Sequence, residues 1–107
     1  ADGRMRCAFR AEQKHMTAGD RMHGGCLMIF ADIALFQTAY QEMEGKNGVT
    51  VQLDSTFIDG ARVGELVEAT GEVVRAGGSL IFVRGQITTG DRMLMTFSGV
   101  IRKFEKR

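Results

Sequence analysis

The chain has 107 residues, of which 44% are hydrophobic and 25% charged, and its formal net charge is +1. This composition predicts one globular domain over residues 1–107 rather than a disordered or fibrous segment. The 14 basic residues are scattered and do not form the basic stripe of a nucleic-acid-binding surface. No apolar run reaches the ~18 residues of a membrane span, and the start of the chain has no signal pattern. We therefore expect a cytoplasmic protein without a nucleic-acid or membrane partner.

Cys7 and Cys26 are the two cysteines of the chain. Neither stands in a CxxC or Cys/His cluster with metal-ligand spacing. They are predicted to be reduced, mostly buried thiols, and no metal or cofactor is expected.

The first element is predicted to be a strand. Met5, Cys7, Phe9 and Ala11 alternate with polar residues, which is the period-two pattern of a strand with one solvent-facing side. Residues 13–22 lose that alternation and are predicted to form a loop.

The second element is an apolar helix from Cys26 to Tyr40. Its apolar residues cover most of the helical circumference instead of one stripe, which is typical of a buried helix. The sequence turns polar at Gln41, and the helix is predicted to end near Met43 or Glu44. Gly45 is then the residue just past its end.

Asp32 is the only charged side chain between Gly24 and Tyr40. It is therefore predicted to be buried. An ionised carboxylate without a partner costs several kcal/mol to remove from water, or it raises its pKa and becomes neutral. Carboxylates in such places are commonly catalytic or held in a hydrogen-bond network.

Four more strands are predicted after the helix. In the first of them Val49, Val51, Leu53, Ser55 and Phe57 alternate with other residues and are predicted to share one face. Short glycine-containing turns predict hairpins between the later strands. Those strands are predicted over three ranges: Glu65–Arg75, Ser79–Thr88 and Met93–Phe104.

This order of elements predicts an α+β fold. Consecutive hairpins produce a mainly antiparallel sheet. The apolar helix can be buried only if the sheet curls around it or a second copy covers its far side. We therefore expect a curved antiparallel sheet of about five strands wrapped around one long helix.

His23, Gly24 and Gly25 form a turn at the start of the helix. Glycines let a ligand approach the free backbone N–H groups, and together with the helix dipole these donors suit a developing oxyanion. Asp32 lies eight positions after Gly24, which is ~12 Å along a helix. One chain therefore cannot bring both to the same carbonyl group.

Two chains with antiparallel helices would solve this problem, because Asp32 of one chain then approaches Gly24 of the other. The alternative is that the glycines only shape the helix entry. In that case Asp32 is a buried carboxylate held by hydrogen bonds or by a basic side chain.

These motifs resemble one known family, the hot-dog-fold acyl-CoA thioesterases of the phenylacetate-degradation type. The resemblance covers nearly the whole chain. It implies a sheet that wraps one long helix, and two sheets joined edge to edge in a homodimer that pairs into a dimer of dimers. It is carried by His15, Met16, Thr17, His23, Gly24, Gly25, Asp32, Gly48, Val49, Thr50, Gly64, Arg75 and Gly77.

The resemblance also implies catalytic roles in the hydrolysis of an acyl-CoA. The Gly24 backbone N–H would polarise the thioester carbonyl, and Asp32 would activate water or attack the carbonyl carbon itself. His23 would shape the turn and contact the substrate. Thr50 would orient the water, or is an ordinary strand residue.

Further residues are implied to bind the substrate, and a solvated surface role is the alternative for the two arginines. Arg62 would meet a CoA phosphate, and a hairpin would form the pantetheine-binding region. The full set of substrate-binding candidates is His15, Gly25, Arg62, Arg75, Gly77, Gly78 and Ser79.

The chain departs from the family pattern before the helix. Thr17 stands where the pattern has Asn, and Asp20 stands where it has Gly. Thr donates a hydrogen bond but reaches less far than Asn. A shifted rate or substrate range is the expected consequence.

Two other functions, and one other position for the catalytic carboxylate, compete with hydrolysis by Asp32. Hot-dog hydratases and dehydratases carry Asp and His in a motif with Pro, and this chain has no Pro. Another thioesterase branch places its carboxylate in the loop before the helix, where Asp20 lies, but lacks the glycine turn. A non-catalytic acyl-CoA-binding module would leave Asp32 without a chemical role. Thioester hydrolysis is the favoured prediction.

Overall fold

The computed structural model of the chain describes residues 5–10, 12 and 24–105. Over these residues every predicted strand and the predicted helix are present. The elements are β1 (Met5–Arg10), α1 (Gly24–Ala39) with a 3₁₀ continuation (Tyr40–Met43), β2 (Asn47–Phe57), β3 (Leu66–Gly77), β4 (Leu80–Thr89) and β5 (Arg92–Phe104).

The strands form one antiparallel sheet in the order β1-β3-β4-β5-β2. Sequential hairpins place β3, β4 and β5 side by side, and β1 and β2 are the two edges. The chain leaves the helix through Glu44 and Gly45, both in the left-handed region, with φ of 56° and 73°. The predicted α+β fold and the predicted helix end are confirmed.

The core lies between α1 and the concave face of the sheet. Glycines on that face let the helix approach closely. A Cβ added to Gly99 would lie 2.8 Å from the methyl carbons of Leu35, and one added to Gly71 would lie 2.5 Å from Thr38 Oγ1. The completely buried larger side chains are Leu27, Leu35, Val67, Ile81, Val83, Ile87, Leu94, Met95 and Ile101.

The predicted common face of β2 is wrong, because the strand contains a bulge. Its pairing register with β5 shifts between Thr50 and Gln52, so Val51 is an extra residue. A bulge of this kind inserts one extra residue, so each side chain after it points to the opposite face from that expected for regular alternation. Val49 and Val51 are consequently 46% and 53% exposed, whereas Thr50 and Leu53 are half-buried.

Within a single chain the sheet does not bury α1 all round, which leaves the second predicted alternative, a second copy that covers the far side of the helix. The sheet covers one side of the helix, and Ile29, Ile33 and Tyr40 on the other side are 65%, 51% and 72% exposed. A second cover would be needed to bury these side chains. Within the described ranges, no helix combines the length and the apolar character that crossing a membrane requires.

Arg92 on β5 anchors the connection between β2 and β3. Its Nη2 donates to the Gly60 carbonyl oxygen at 3.0 Å and to Glu65 Oε1 at 2.7 Å, and its Nε lies 3.0 Å from Asp59 Oδ2. Burial acts to raise the pKa of Glu65. Hydrogen bonds from Arg92 and from the Arg62 backbone outweigh burial, so the pKa of this carboxyl lies below its ordinary value.

Candidate active site

Asp32 and Thr50 form a hydrogen-bonded pair between α1 and β2. Thr50 Oγ1 donates to Asp32 Oδ1 at 2.6 Å, a distance typical of a charge-assisted bond to a carboxylate. The bulge at Val51 shifts the alternation of β2 by one residue, so that Thr50 faces the helix together with Leu53. Asp32 is half-buried, which corrects the prediction that it is buried. The Thr50 hydroxyl therefore orients the Asp32 carboxylate, and part of the Asp32 side chain stays accessible.

The helix begins at Gly24, so the first-turn N–H groups have no intrahelical acceptors. Among the described residues, no atom outside its two chain neighbours and the helix's own backbone lies within 4 Å of a Cβ added to Gly25. The first turn itself contains no acidic residue. His15, Thr17 and His23 lie outside the described residues.

The helix N-terminus and the carboxylate lie apart within one chain. Gly24 and Asp32 belong to the same continuous helix, and eight residues at ~1.5 Å each separate them by ~12 Å. A single chain therefore presents the carboxylate and the backbone donors to different places.

The β3–β4 hairpin lies level with Thr50. Pairing through β4 and β5 places Ala76 and Thr50 in the same cross-strand row. Three strand spacings make this separation ~14 Å. Gly78 adopts a φ of +56° in the turn, a conformation that favours glycine. The exposed candidates at this hairpin are Arg75, Gly77, Gly78 and Ser79.

Arg62 lies at the opposite end of the sheet. It follows the end of β2 at Phe57, which is about 20 Å along the strand from Thr50. Its backbone N–H donates to Glu65 Oε1 at 2.6 Å, and its side chain is exposed. The structure thus separates Arg62 from Asp32 of the same chain.

A groove that the sequence did not identify begins one helical turn after Asp32. It has a volume of about 510 Å³ and lies between the end of α1 and the start of β2. Phe36, half-buried, and Tyr40 form its aromatic part. Their spacing of four and eight residues from Asp32 was the available sequence signal, but apolar residues on every side of the helix obscured it.

A second groove, of about 610 Å³, lies on the β1 side of the same helix. Cys26 is half-buried there, which corrects the prediction that it is mostly buried. The lining is mainly apolar and consists of Ala8, Phe9, Arg10, Glu12, Cys26, Ile29, Phe30 and Ile33.

Comparison with known sequences defines the family. The model of the thioesterase superfamily matches residues 19–96. A Pseudomonas aeruginosa protein named as an esterase is 33% identical over 94 residues, which cover 87% of this chain and 70% of that protein. Human acyl-coenzyme A thioesterase 13 is 27% identical over 88 residues, which cover 82% of this chain and 63% of the human protein. The chain belongs to the thioesterase superfamily, and the predicted thioester hydrolase is confirmed.

A solved structure supports the fold. The structure of the E. coli PaaI protein, from the phenylacetic acid degradation operon, superposes on this chain with a TM-score of 0.84 and 18% sequence identity. The match covers 95% of this chain and 73% of the PaaI chain. The curled five-stranded sheet around one helix is the predicted hot-dog fold. The predicted resemblance to hot-dog acyl-CoA thioesterases is confirmed.

Proposed function

We propose that the protein hydrolyses acyl-CoA thioesters at a site built between two copies of the chain. The observation that carries this proposal is the 2.6 Å hydrogen bond from Thr50 to the half-buried Asp32 carboxylate. Membership of the thioesterase superfamily supports the reaction. The name of the human relative supports CoA as the leaving group.

Asp32 is the group that starts the reaction. As a general base it accepts a proton from water while the water oxygen bonds to the thioester carbonyl carbon. The carbon–sulfur bond then breaks, and the CoA sulfur leaves as a thiolate that takes up the proton. As a nucleophile, a carboxylate oxygen of Asp32 would instead attack the carbonyl carbon and expel the CoA thiolate, which leaves an acyl anhydride that water cleaves to the free acid and the regenerated carboxylate. In either route Thr50 fixes one carboxylate oxygen, so that the other is directed at the substrate.

Gly24 of the partner subunit is proposed to complete the site. The backbone donors of the same chain lie ~12 Å from Asp32 along the helix, and a partner helix that runs antiparallel can supply them. Donors at a helix N-terminus stabilise the negative charge that develops on the carbonyl oxygen.

Two features of this chain favour a second copy beside β2. Among the described residues, the 11-residue strand β2 pairs only with β5, so its other edge offers backbone groups to another strand. The exposed apolar side chains of α1 and of Val49 and Val51 lie nearby, and such patches mark contact surfaces. Pairing of dimers into a tetramer and a cytoplasmic location stay predictions.

CoA recognition is proposed for two regions. Arg75 and the glycine turn of the β3–β4 hairpin lie level with Thr50 and would hold the pantetheine and nucleotide portions. Arg62 is too far from Asp32 of its own chain, so it would serve the site only from the partner subunit. His15, Thr17 and His23 keep the roles that the family resemblance implies.

An activity assay tests the proposal. Acetyl-, hexanoyl- and phenylacetyl-CoA would be offered with a thiol reagent to the wild type and to Asp32→Asn. Removal of the base or nucleophile should lower kcat by roughly 10²- to 10⁴-fold. Asp91→Asn is the matched control, because Asp91 is an exposed carboxylate in the turn between β4 and β5, away from the β2 edge.

Three results would contradict the proposal. The first is full activity of Asp32→Asn, and the second is binding of acyl-CoA without turnover, as in a non-catalytic module. The third is a strictly monomeric active protein in light scattering, which would exclude the two-chain site.

A further inference from the structure

We propose that Ser55 of the partner subunit is a positioning residue of the site, where its hydroxyl donates a hydrogen bond to Thr50 Oγ1. This inference rests on the function proposed above, because it requires a site built between two chains. It gives a role to a buried hydroxyl that the proposed reaction does not otherwise use.

The Ser55 hydroxyl has no hydrogen-bond partner among the described residues, although its Oγ is buried. Buried polar atoms in folded proteins nearly always have a partner, because an unpaired one is costly. A serine side chain has three staggered rotamers, so this hydroxyl sacrifices no described hydrogen bond when it turns toward a new acceptor. An acceptor on a second chain would satisfy it.

Ser55 and Thr50 face the same side of the sheet. Thr50 pairs with Ile101 on β5, and Ile101 is completely buried. Ser55 pairs with Phe97, which is also a buried core residue. Directly paired side chains share a face. The bulge makes this possible, because five residue steps along β2 span only four along β5. Both hydroxyls therefore face the helix.

The position of Ser55 along β2 matches that of Gly24 along the helix. α1 runs antiparallel to β2, since its 3₁₀ continuation packs against the start of β2 whereas Asp32 contacts Thr50 farther along the strand. Four paired positions place Ser55 ~14 Å from Thr50, toward the helix N-terminus. Gly24 lies ~12 Å from Asp32 in the same direction. Ser55 and Gly24 are therefore about level within one chain.

A two-fold axis transfers this match to the second chain. The axis that brings Gly24 of the partner subunit to Asp32 also brings the residues level with that glycine. Ser55 of the partner subunit then lies opposite Thr50, on a β2 strand paired with this one. Residues directly opposite on antiparallel strands have their Cβ atoms ~5 Å apart, which lets two hydroxyls form a hydrogen bond.

The direction of the hydrogen bonds follows from the single hydroxyl proton of Thr50. Thr50 uses this proton on Asp32 Oδ1, and its oxygen keeps lone pairs that accept a bond. Ser55 of the partner subunit donates to that oxygen, which polarises the Thr50 hydroxyl and strengthens its bond to the carboxylate. Two hydroxyls from two chains then hold Asp32 in place.

Point variants test this role. Ser55→Ala should lower kcat about 10-fold and leave KM within about 2-fold, because a misplaced carboxylate slows the chemical step and not substrate binding. Its Tm should change little, since no described residue of the same chain bonds this hydroxyl. Ser55→Thr keeps a hydroxyl and should restore most of the activity. Ser98→Ala is the matched control and should keep wild-type kinetics, because Ser98 is exposed next to buried Phe97 on β5.

A double variant tests whether Ser55 acts through Thr50. Thr50→Ala combined with Ser55→Ala should be no slower than Thr50→Ala alone. Losses in kcat that multiply would overturn the inference, because they would show that the two hydroxyls act independently.

Mixed assemblies test which chain supplies the hydroxyl. Asp32→Asn and Ser55→Ala chains with different affinity tags would be co-expressed and purified on both tags. If Ser55 acts across the interface, some sites combine an intact Asp32 with an intact Ser55, and kcat per chain should exceed that of Ser55→Ala several-fold. If Ser55 acts within its own chain, no site is intact. A kcat at or below that of Ser55→Ala would therefore overturn the inference.

The remaining outcomes separate this inference from the proposed function. Full activity of Ser55→Ala, with Asp32→Asn inactive, would overturn the inference and leave the proposed hydrolysis intact. A joint loss of Tm and activity in Ser55→Ala, without rescue by Ser55→Thr, would also overturn it and indicate a packing role. Absence of hydrolysis of every acyl-CoA by the wild type would overturn the proposed function and this inference with it.

Discussion

The two sides of helix α1 differ in what they contact and in what they do. Leu35 on the sheet side is completely buried against Gly99. Ile33 and Tyr40 on the outer side are more than half exposed, and Asp32 borders that side. Packing on the sheet side stabilises the fold, whereas the outer side carries the proposed chemistry and is not covered by the other described residues. Stability and activity are thus separated around one helix.

Truncation of Leu35 should give the largest loss of stability. Leu35→Ala creates a cavity in the core and should lower the free energy of unfolding by about 2–5 kcal/mol, measured by urea denaturation. Ile33→Ala on the outer side should lower it less. The Ile33→Ala loss should also depend on protein concentration, because a second copy would cover this side chain. If Leu35→Ala and Ile33→Ala lowered the free energy of unfolding equally at every protein concentration, the two sides of α1 would not differ in this way.

Removal of the Thr50 hydroxyl should affect activity and not stability. Thr50→Ala frees the Asp32 carboxylate to rotate and should lower kcat by roughly 10- to 100-fold, since small misplacements of reacting groups are costly. Thr50→Ser keeps the hydroxyl and should retain most of the activity. Steady-state kinetics and thermal unfolding together check this expectation. Full activity of Thr50→Ala would mean that the hydrogen bond does not position Asp32.

A methyl group added inside the sheet should cost less than the Leu35 cavity. In Gly85→Ala the new Cβ would lie 2.4 Å from the Thr70 carbonyl oxygen and 2.5 Å from the Phe97 ring. Overpacking of this kind typically costs about 1–3 kcal/mol. Gly77→Ala is the control, because its Cβ would meet nothing within 4 Å. Equal unfolding free energies for the two variants would contradict the tight packing inferred for the concave face.

The smallest expected effect concerns the loop that Arg92 anchors, away from both sides of α1. The pKa of Glu65 is lowered from 4.5, so its charged form adds stability above pH 4.5 that is lost as pH falls through the lowered pKa. Glu65→Gln should therefore have a slightly lower Tm near neutral pH, and its difference from the wild type should narrow below pH 4.5.

Glu42→Gln is the matched control for Glu65→Gln, because Glu42 is an exposed glutamate at the end of the helix. Its Tm should follow that of the wild type at every pH. A constant difference between Glu65→Gln and the wild type across the titration would show that charge at this position does not contribute.

Prediction from sequence succeeded where a local pattern determines the structure. Alternation and glycine turns identified the strands, and the polar residues before Gly45 marked the end of the helix. The face of β2 was wrong because a bulge is defined only against the partner strand. An open far side of α1 was one of the predicted alternatives, but its apolar residues surround the helix, so periodicity could not indicate which side the sheet covers.

The candidate site was predictable only in part. Asp32 and Thr50 were named from the sequence, but their hydrogen bond joins residues 18 positions apart and depends on how β2 lies against the helix. The separation of Arg62 from this pair follows from sheet register, which one sequence does not specify. Phe36 and Tyr40 were indistinguishable from core residues until the folded chain placed them beside Asp32.

The bulge in β2 makes the site depend on the length of the chain rather than on the chemical identity of Val51. Substitutions of Val51 by other apolar residues leave the parity of the strand unchanged and keep the apolar surface, so they should be tolerated. Deletion of the same residue would restore continuous pairing with β5 and turn the side chains on one side of the deletion to the opposite face. If the residues before the deletion turn, the Asp32 carboxylate loses its hydrogen bond from Thr50, although both residues are still present in the chain.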